Sequence, residues 1–460
     1  MSEFSTTEKL LEETSVRRLV IRLGLPAMFG QFFNILYNIV DRIFVGNIPE
    51  VGDVSLASIG VCAPALTAVG AFAFMVGIGG ASYMSISLGE KERQRARETI
   101  GNAFIMLLII SALVTAGLLF SREKLLYGLG CSANMYPYAE TYFTIYVCGT
   151  FAALLGSGLN QFILAQGYAK QGMISVVIGA AINVVLDPIL IFKLGMGIAG
   201  AAWGTVISQL CMMLYVIWFL RGKEIPVRLC LCKIRSKIVL KILSIGFMSF
   251  MITLLDNFII ILLNASLRKY GGDTRGDMLI TCAAVVQSFM TIVFCPAQGI
   301  TTGCGTIFSF NYGAKNYQKI RQAFFYVFVL CGIYIGAMEI AVQIFSKEFA
   351  GFFLRNRELT DLAGNCLRMY TFALIGVAVQ YALVDSLTSM GKIKYALPIS
   401  FFRKIVYIVC IFVLPLYFDI QYIFYAGTVS DAIGATFSVI VFFLIINPRL
   451  KRDMNYSAIR

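Results

Sequence analysis

The sequence predicts an all-α integral membrane protein: twelve transmembrane helices in two pseudo-symmetric six-helix bundles. Three observations predict it. The 460 residues are 58% apolar and only 14% charged, with a mean hydropathy of +0.80, whereas soluble domains are closer to half apolar and a quarter charged. Apolar runs long enough to cross a bilayer, about 20 residues each, recur twelve times. Features of the first half also reappear in the second at a nearly constant offset.

The apolar runs lie near 18–45, 55–88, 99–120, 136–165, 172–192, 198–220, 240–266, 278–309, 322–346, 361–390, 396–416 and 423–447. Several are longer than a straight span needs, which implies tilt or kinks. Pro26, Pro64, Pro188, Pro296, Pro398 and Pro415 lie within or at the ends of these runs and favour bending. No cleavable signal is expected. Residues 1–16 are polar and acidic, and Arg17, Arg18 and Arg22 lead into a run far longer than a signal core. The first run is therefore expected to stay as a membrane helix.

Charge sets the expected orientation. Of the 38 Lys and Arg, 27 fall on the face shared by the N-terminal segment, the even-to-odd loops and the tail, and ten on the other face. By the positive-inside rule both termini and the loop between spans 6 and 7 are cytoplasmic, in a plasma (inner) membrane. The net charge of +13 thus reflects topology, and no nucleic-acid partner is expected. There is no His, which removes the commonest general base and metal ligand. With no nucleophile placed beside a base, an enzyme is not expected. No cofactor is expected either, since Gly77–Gly80 lacks the Gly-Lys-Ser/Thr of a phosphate loop. Cys230 and Cys232 form a C-x-C with no second pair to complete a zinc site.

The repeat is local and consistent. LGEKERQRARE (88–98) aligns with YGAKNYQKIRQ (312–322), pairing Gly89 with Gly313 and Lys91 with Lys315 at an offset of 224. Gly167 and Lys170 recur as Gly391 and Lys394 at the same offset, and Gly204-Thr205-Val206 recurs as Gly427-Thr428-Val429. Six spans per half is an even number, so both halves enter from one face, related by an axis along the membrane normal. The expected division is an N-terminal lobe over 1–220, a linker over 221–240 and a C-terminal lobe over 241–460. Two lobes around a cleft are a transporter architecture, because rocking gives alternating access.

Acids at membrane depth cost roughly 2.5–3.5 kcal/mol each on insertion scales and mark ion or substrate routes. Asp41, Asp187 and Thr205 fall at one level on three different spans of the first half, and Asn183 shares a helix face with Asp187. Pro188 lacks an N–H and leaves the Val184 carbonyl without its helical donor. This oxygen-rich set suits Na⁺, or the two Asp share a proton. Asp256 is a candidate substrate contact in the second half, with Tyr37 and Gln287 as candidate cleft residues. Phe33 and Met28 are weaker cleft candidates, and Glu339, Asp385 and Asp431 are expected to reach toward water near a membrane face. Apolar walls with few carboxylates suit amphipathic organic cations, aided by cation–π contact.

These residues resemble a known family. LGLPAMFGQFFNILYNIVDRIFVGN (23–47), NVVLDPILIF (183–192), GAAWGTVIS (200–208) and PAQGITTGCGTIFSFNYGAKNYQKIR (296–321) are similar to the multidrug and toxic compound extrusion (MATE) family. The resemblance implies a secondary exporter of drug-like compounds driven by H⁺ or Na⁺; the protein is expected to act as a monomer in contact with membrane lipid. It places the family's cation site on Asp41, Asn183, Asp187 and Thr205, with Asn160 as a further member. An alternative is a lipid-linked precursor flippase of a related fold, which requires basic residues in the cleft. Nearly all Lys and Arg are expected in loops, which argues against it.

Overall fold

The computed structural model describes residues 15–223, 225–354, 356–448 and 452. The acidic N-terminal segment with Lys9, and Arg355, Arg449, Lys451 and Arg460 of the charge count, lie outside the described residues. Among the described residues the secondary structure is helical, with no strand.

Among the described residues the chain forms fourteen α-helices. They are α1 Val16–Gly46, α2 Gly52–Gly89, α3 Arg93–Gly128, α4 Tyr136–Cys148, α5 Thr150–Ala165, α6 Ala169–Pro188 and α7 Ile198–Arg221. After a connector come α8 Ser236–Gly272, α9 Arg275–Gly313, α10 Tyr317–Gly351, α11 Arg357–Thr371, α12 Ile375–Ser389, α13 Ile393–Tyr417 and α14 Tyr425–Val441. Among the described residues ten spans are long and apolar enough to cross a membrane, or twelve when two bent pairs count as one span each. The runs at 136–165 and 361–390, continuous in the sequence reading, are those pairs. α4 and α5 meet at 52°, and so do α11 and α12. At the first elbow a Cβ on Gly149 would press within 2.5 Å of Val206 Cγ2. The glycine therefore admits α7 to the bend.

The internal repeat has a backbone counterpart. Lys91 and Lys315 both adopt left-handed φ, at 63° and 56°, a conformation that costs an L-residue roughly 1 kcal/mol. Gly167 and Gly391 do the same at 85° and 68°. Each marks the tight turn between two successive spans. The two six-helix bundles and their pseudo-symmetry are thus legible residue by residue.

The bundles meet where α1 and α2 pack on α8 and α9. Small residues allow the backbones to touch, as bilayer packing favours. A Cβ on Gly246 of α8 would collide with the Met75 carbonyl of α2. Gly89 and Gly313, one repeat apart, face each other's helix: a Cβ on either would strike the opposite backbone, at Phe310 or at Ile86. Outward-facing apolar residues such as Trp218, 69% exposed, and Phe120, 94% exposed, suit contact with lipid tails.

The connector between the lobes is docked, not loose. Asn102 of α3 accepts from Arg235 N at 2.9 Å, and Glu98 pairs with Arg235 at 2.8 Å. Cys230 and Cys232 lie against Gly101, with their sulfurs 3.1 Å apart.

Candidate functional site

Two sites emerge, one inside the N-terminal bundle and one between the bundles. In the first, α1 carries Asp41 and α6 carries Asp187, both buried. Their carboxyl groups lie within electrostatic reach of each other. Asn183, one turn before Asp187, donates from Nδ2 to Asp187 Oδ1 at 3.1 Å. Asp187 stands where α6 ends at Pro188. That residue has no N–H, and the chain continues as a wide π turn over Ile189–Lys193, closed by Leu194 N donating to Ile189 O at 2.9 Å. Single π turns inside helices are often found at functional sites.

Three buried oxygens of this cluster, Asp41 Oδ1, Asp187 Oδ2 and Asn183 Oδ1, have no donor partner. Buried acceptors of this kind are costly unless satisfied. Two buried carboxyl groups within electrostatic reach of each other do not both hold a full negative charge without a positive companion. The donor set is oxygen only, which suits a hard cation or a shared proton. Thr205 of α7 is buried nearby in sequence to Gly204, and its hydroxyl donates to Ala201 O at 3.0 Å. That bond leaves its oxygen lone pairs available.

Sequence reasoning missed two supports of this cluster. Gly204 of α7 lies directly against Asp187, since a Cβ there would collide with Oδ1. The signal was present in the repeated Gly-Thr-Val, read only as a mark of duplication. The second is an aromatic collar: Tyr37, Tyr142 and Tyr146 lie within electrostatic reach of Asp41. The Tyr146 hydroxyl accepts from Gln209 Nε2 at 3.2 Å.

Asn160 lies elsewhere. On α5 it donates from Nδ2 to Gly172 O at 3.4 Å and accepts from Ser175 Oγ at 3.1 Å. Ser175 precedes Asn183 by two turns of α6, about 12 Å along the axis. The structure therefore brings together Asp41, Asn183 and Asp187, with Gly204 and Thr205 on the facing helix, and sets Asn160 in the α5–α6 hairpin. Arg42, beside Asp41 in sequence, is exposed.

The second site is a cavity of about 470 Å³. Its walls come from α2, α5, α8, α9, α11, α12 and α13. Asp256 and Gln287 line it; Tyr37, Phe33 and Met28 do not. Tyr37 sits instead by the Asp41 cluster. Thr301 Oγ1 of α9 donates to Asp385 Oδ2, and Asp385 lines the cavity.

Three expectations are corrected here. Arg403 and Lys404 belong to no loop: α13 already begins at Ile393, and both residues line the cavity. Arg403 Nη1 pairs with Asp431 Oδ1 at 2.9 Å, and Lys404 Nζ pairs with Asp256. Asp385 and Asp431 do not reach toward an outer surface. The one faces the cavity, and the other is buried against Arg403. Glu339 caps a helix, its Oε2 accepting from Ile375 N at the start of α12 at 2.7 Å. The missed signal was a pair of cations ten residues into α13, inside the apolar run at 396–416. Counting them as loop charge slightly overstated the charge asymmetry.

A polytopic bundle with a buried acid pair in one lobe and a polar cavity between two related lobes defines a membrane transporter fold. The MatE family model matches residues 26–189 and 253–413, most of the spanning chain. The protein belongs to the MatE family. It is 21% identical over 436 residues to the multidrug export protein MepA of Staphylococcus aureus, covering 94% of this chain and 95% of that one. Its fold matches the outward-facing conformation of a multidrug resistance MATE family transporter of the MOP superfamily, at a TM-score of 0.88 and 22% identity over 98% and 99% of the two chains. It also matches a MOP superfamily transporter from Pyrococcus furiosus described as having a binding pocket of reverse polarity, at 0.90 and 21% identity over 97% and 98%.

Proposed function

We propose that this protein is a secondary multidrug exporter. It expels amphipathic organic cations from the cytoplasm across the plasma membrane, as a monomer, by alternating access. The observation that carries the reading is the set of buried oxygens that lack donors on Asp41, Asn183 and Asp187, with the two acids within electrostatic reach of each other. An H⁺ or Na⁺ entering from outside cancels one of the pair's two negative charges and is shared between the carboxyl groups. Its arrival draws α1 and α6 together, and α1 bends at Pro26. The cavity then favours its outward-open form, and cargo leaves. Departure of the ion to the cytoplasm restores repulsion and resets the cycle. The Asp41–Asp187 pair, with Asn183 and Thr205, is the coupling site, and no other cofactor takes part. Moving one charge through 100 mV supplies about 2.3 kcal/mol, enough for modest uphill export.

The test is efflux of ethidium from cells expressing the parent, Asp41→Asn or Asp187→Asn. Loss of efflux in each well-expressed variant is expected; undiminished efflux overturns the coupling role. Transport in proteoliposomes under separately imposed pH and Na⁺ gradients identifies the ion.

A second reading, a lipid-linked precursor flippase, draws support from Arg403 and Lys404 on the cavity wall. Both are already paired with acids, which leaves little free positive charge for a pyrophosphate. A lipid-translocation assay in liposomes separates the two readings.

A further inference from the structure

We infer that Lys404 is a tethered counter-ion for Asp256, and that an organic cation must displace it to bind the C-terminal wall of the cavity. The inference rests on reading the cavity as the cargo route and adds how it selects cargo.

Lys404 and Asp256 come from opposite sides of one wall. Asp256 sits mid-way along α8, and Lys404 sits three turns into α13. The ammonium pairs with Asp256 Oδ1 and donates to Ile252 O at 3.2 Å. The two partners differ sharply in access. The Lys404 side chain is 3% exposed, whereas that of Asp256 is 53% exposed and lines the cavity. The cation is thus held behind the acid, and the acid presents its open side to whatever enters. Arg403, the adjacent residue, points about 100° away and is held by Asp431 of α14. Asp256 lies within its electrostatic reach, but the ion pair to Asp256 comes from Lys404.

An aromatic wall stands beside this pair. Tyr370 and Tyr381 lie within electrostatic reach of Asp256. Tyr381 packs on Phe294 with ring centroids 5.7 Å apart, and all three rings line the cavity. A small hydrated ion gains nothing from these rings, and the tethered ammonium already satisfies the acid. A bulky, weakly hydrated cation gains ring contact as well as charge. It alone has the surplus needed to push Lys404 back toward Ile252 O. Lys404 therefore acts as a filter that favours large apolar cations over inorganic ones.

The probe is tetraphenylphosphonium, titrated calorimetrically into purified full-length protein with and without added Na⁺. In the parent, the only Na⁺ effect expected on binding is the one that acts through the Asp41–Asp187 pair. In Lys404→Gln the acid is released, so affinity is expected to rise about tenfold and to become more Na⁺-sensitive than in the parent. The gain is expected to vanish in Lys404→Gln/Asp256→Asn. A merely structural staple between α8 and α13 would lower the folded fraction but would not tighten binding. Equal or weaker binding in folded Lys404→Gln overturns the inference. Should that variant fail to fold, Asp256→Asn alone decides: about tenfold weaker binding is expected, and unchanged affinity overturns it. Binding in the parent with no gain in Lys404→Gln defeats this inference alone. Absence of binding in parent and variant defeats it together with the efflux reading.

Discussion

Gly204 of α7 leaves the space that Asp187 Oδ1 of α6 occupies. A Cβ at that glycine would collide with the carboxylate oxygen and come within 3.7 Å of Asn183 Nδ2. The acid pair is therefore set by bare backbone on a neighbouring helix as much as by its own side chains. Gly204→Ala is expected to push Asp187 off Asp41 and cut ethidium efflux at least about tenfold, the scale of a 1.4 kcal/mol loss. Gly117→Ala, where a Cβ meets nothing within 4 Å, is the matched control and should keep parental rates.

Asp41 and Asp187 act as one unit if they share one positive guest. Groups in direct contact give non-additive mutational effects. Asp41→Asn and Asp187→Asn should each reduce proton- or Na⁺-driven transport in proteoliposomes by about the same factor, and the double variant should be no worse than either. Additive losses would mean two independent roles.

Asn160 separates geometry from family resemblance. Its amide is used by Gly172 and Ser175, so Asn160→Ala should lower thermal stability in detergent by about 1–3 kcal/mol, the cost of leaving buried polar groups unpaired. Efflux per folded molecule should stay parental. A selective loss of coupling with unchanged stability would return Asn160 to the ion route.

Asp419, between α13 and α14, tests a surface effect with a definite pH sign. It accepts from Gln421 N at 3.1 Å and pairs with Arg275 at 2.6 Å. The Gln421 N–H, followed by Arg275, holds its carboxyl below the usual range. A depressed value stabilises the fold above the unfolded carboxylate value of about 3.9 and loses that effect as pH falls through the lower folded value. Asp419→Ala should thus cost about 1 kcal/mol at neutral pH. The difference from the parent in thermal melts should shrink in acid.

Much of the architecture is legible in residue patterns because spans, turns and repeats are local. Lys91 and Lys315 sit at matching turns, and the offset of 224 pointed to them. Asp41, Asn183 and Asp187 stood out because charge and amide at membrane depth are rare. The elbow at Gly149 was not visible, since a bend driven by Val206 of another helix leaves no mark in local hydropathy. Gly204 hid for the same reason: what it admits is a side chain from α6. Arg403 and Lys404 were misplaced because each has an acid partner far along the chain, and pairing removes the penalty that normally keeps cations out of a span.

The facing glycines at the ends of α2 and α9 carry a mechanical consequence. Gly89 and Gly313 bring two main chains together with no side chain between them, so the joint has nothing to compress and behaves as a fulcrum. Helix α2 runs 38 residues from that point, about 57 Å, and a slight swivel there is magnified along its length like the opening of shears. Under the alternating access proposed above, passage toward the end of the molecule that holds these glycines would demand that the joint itself unzip, so the two exits of the chamber would differ in kind: one opening by leverage, the other by parting a seam.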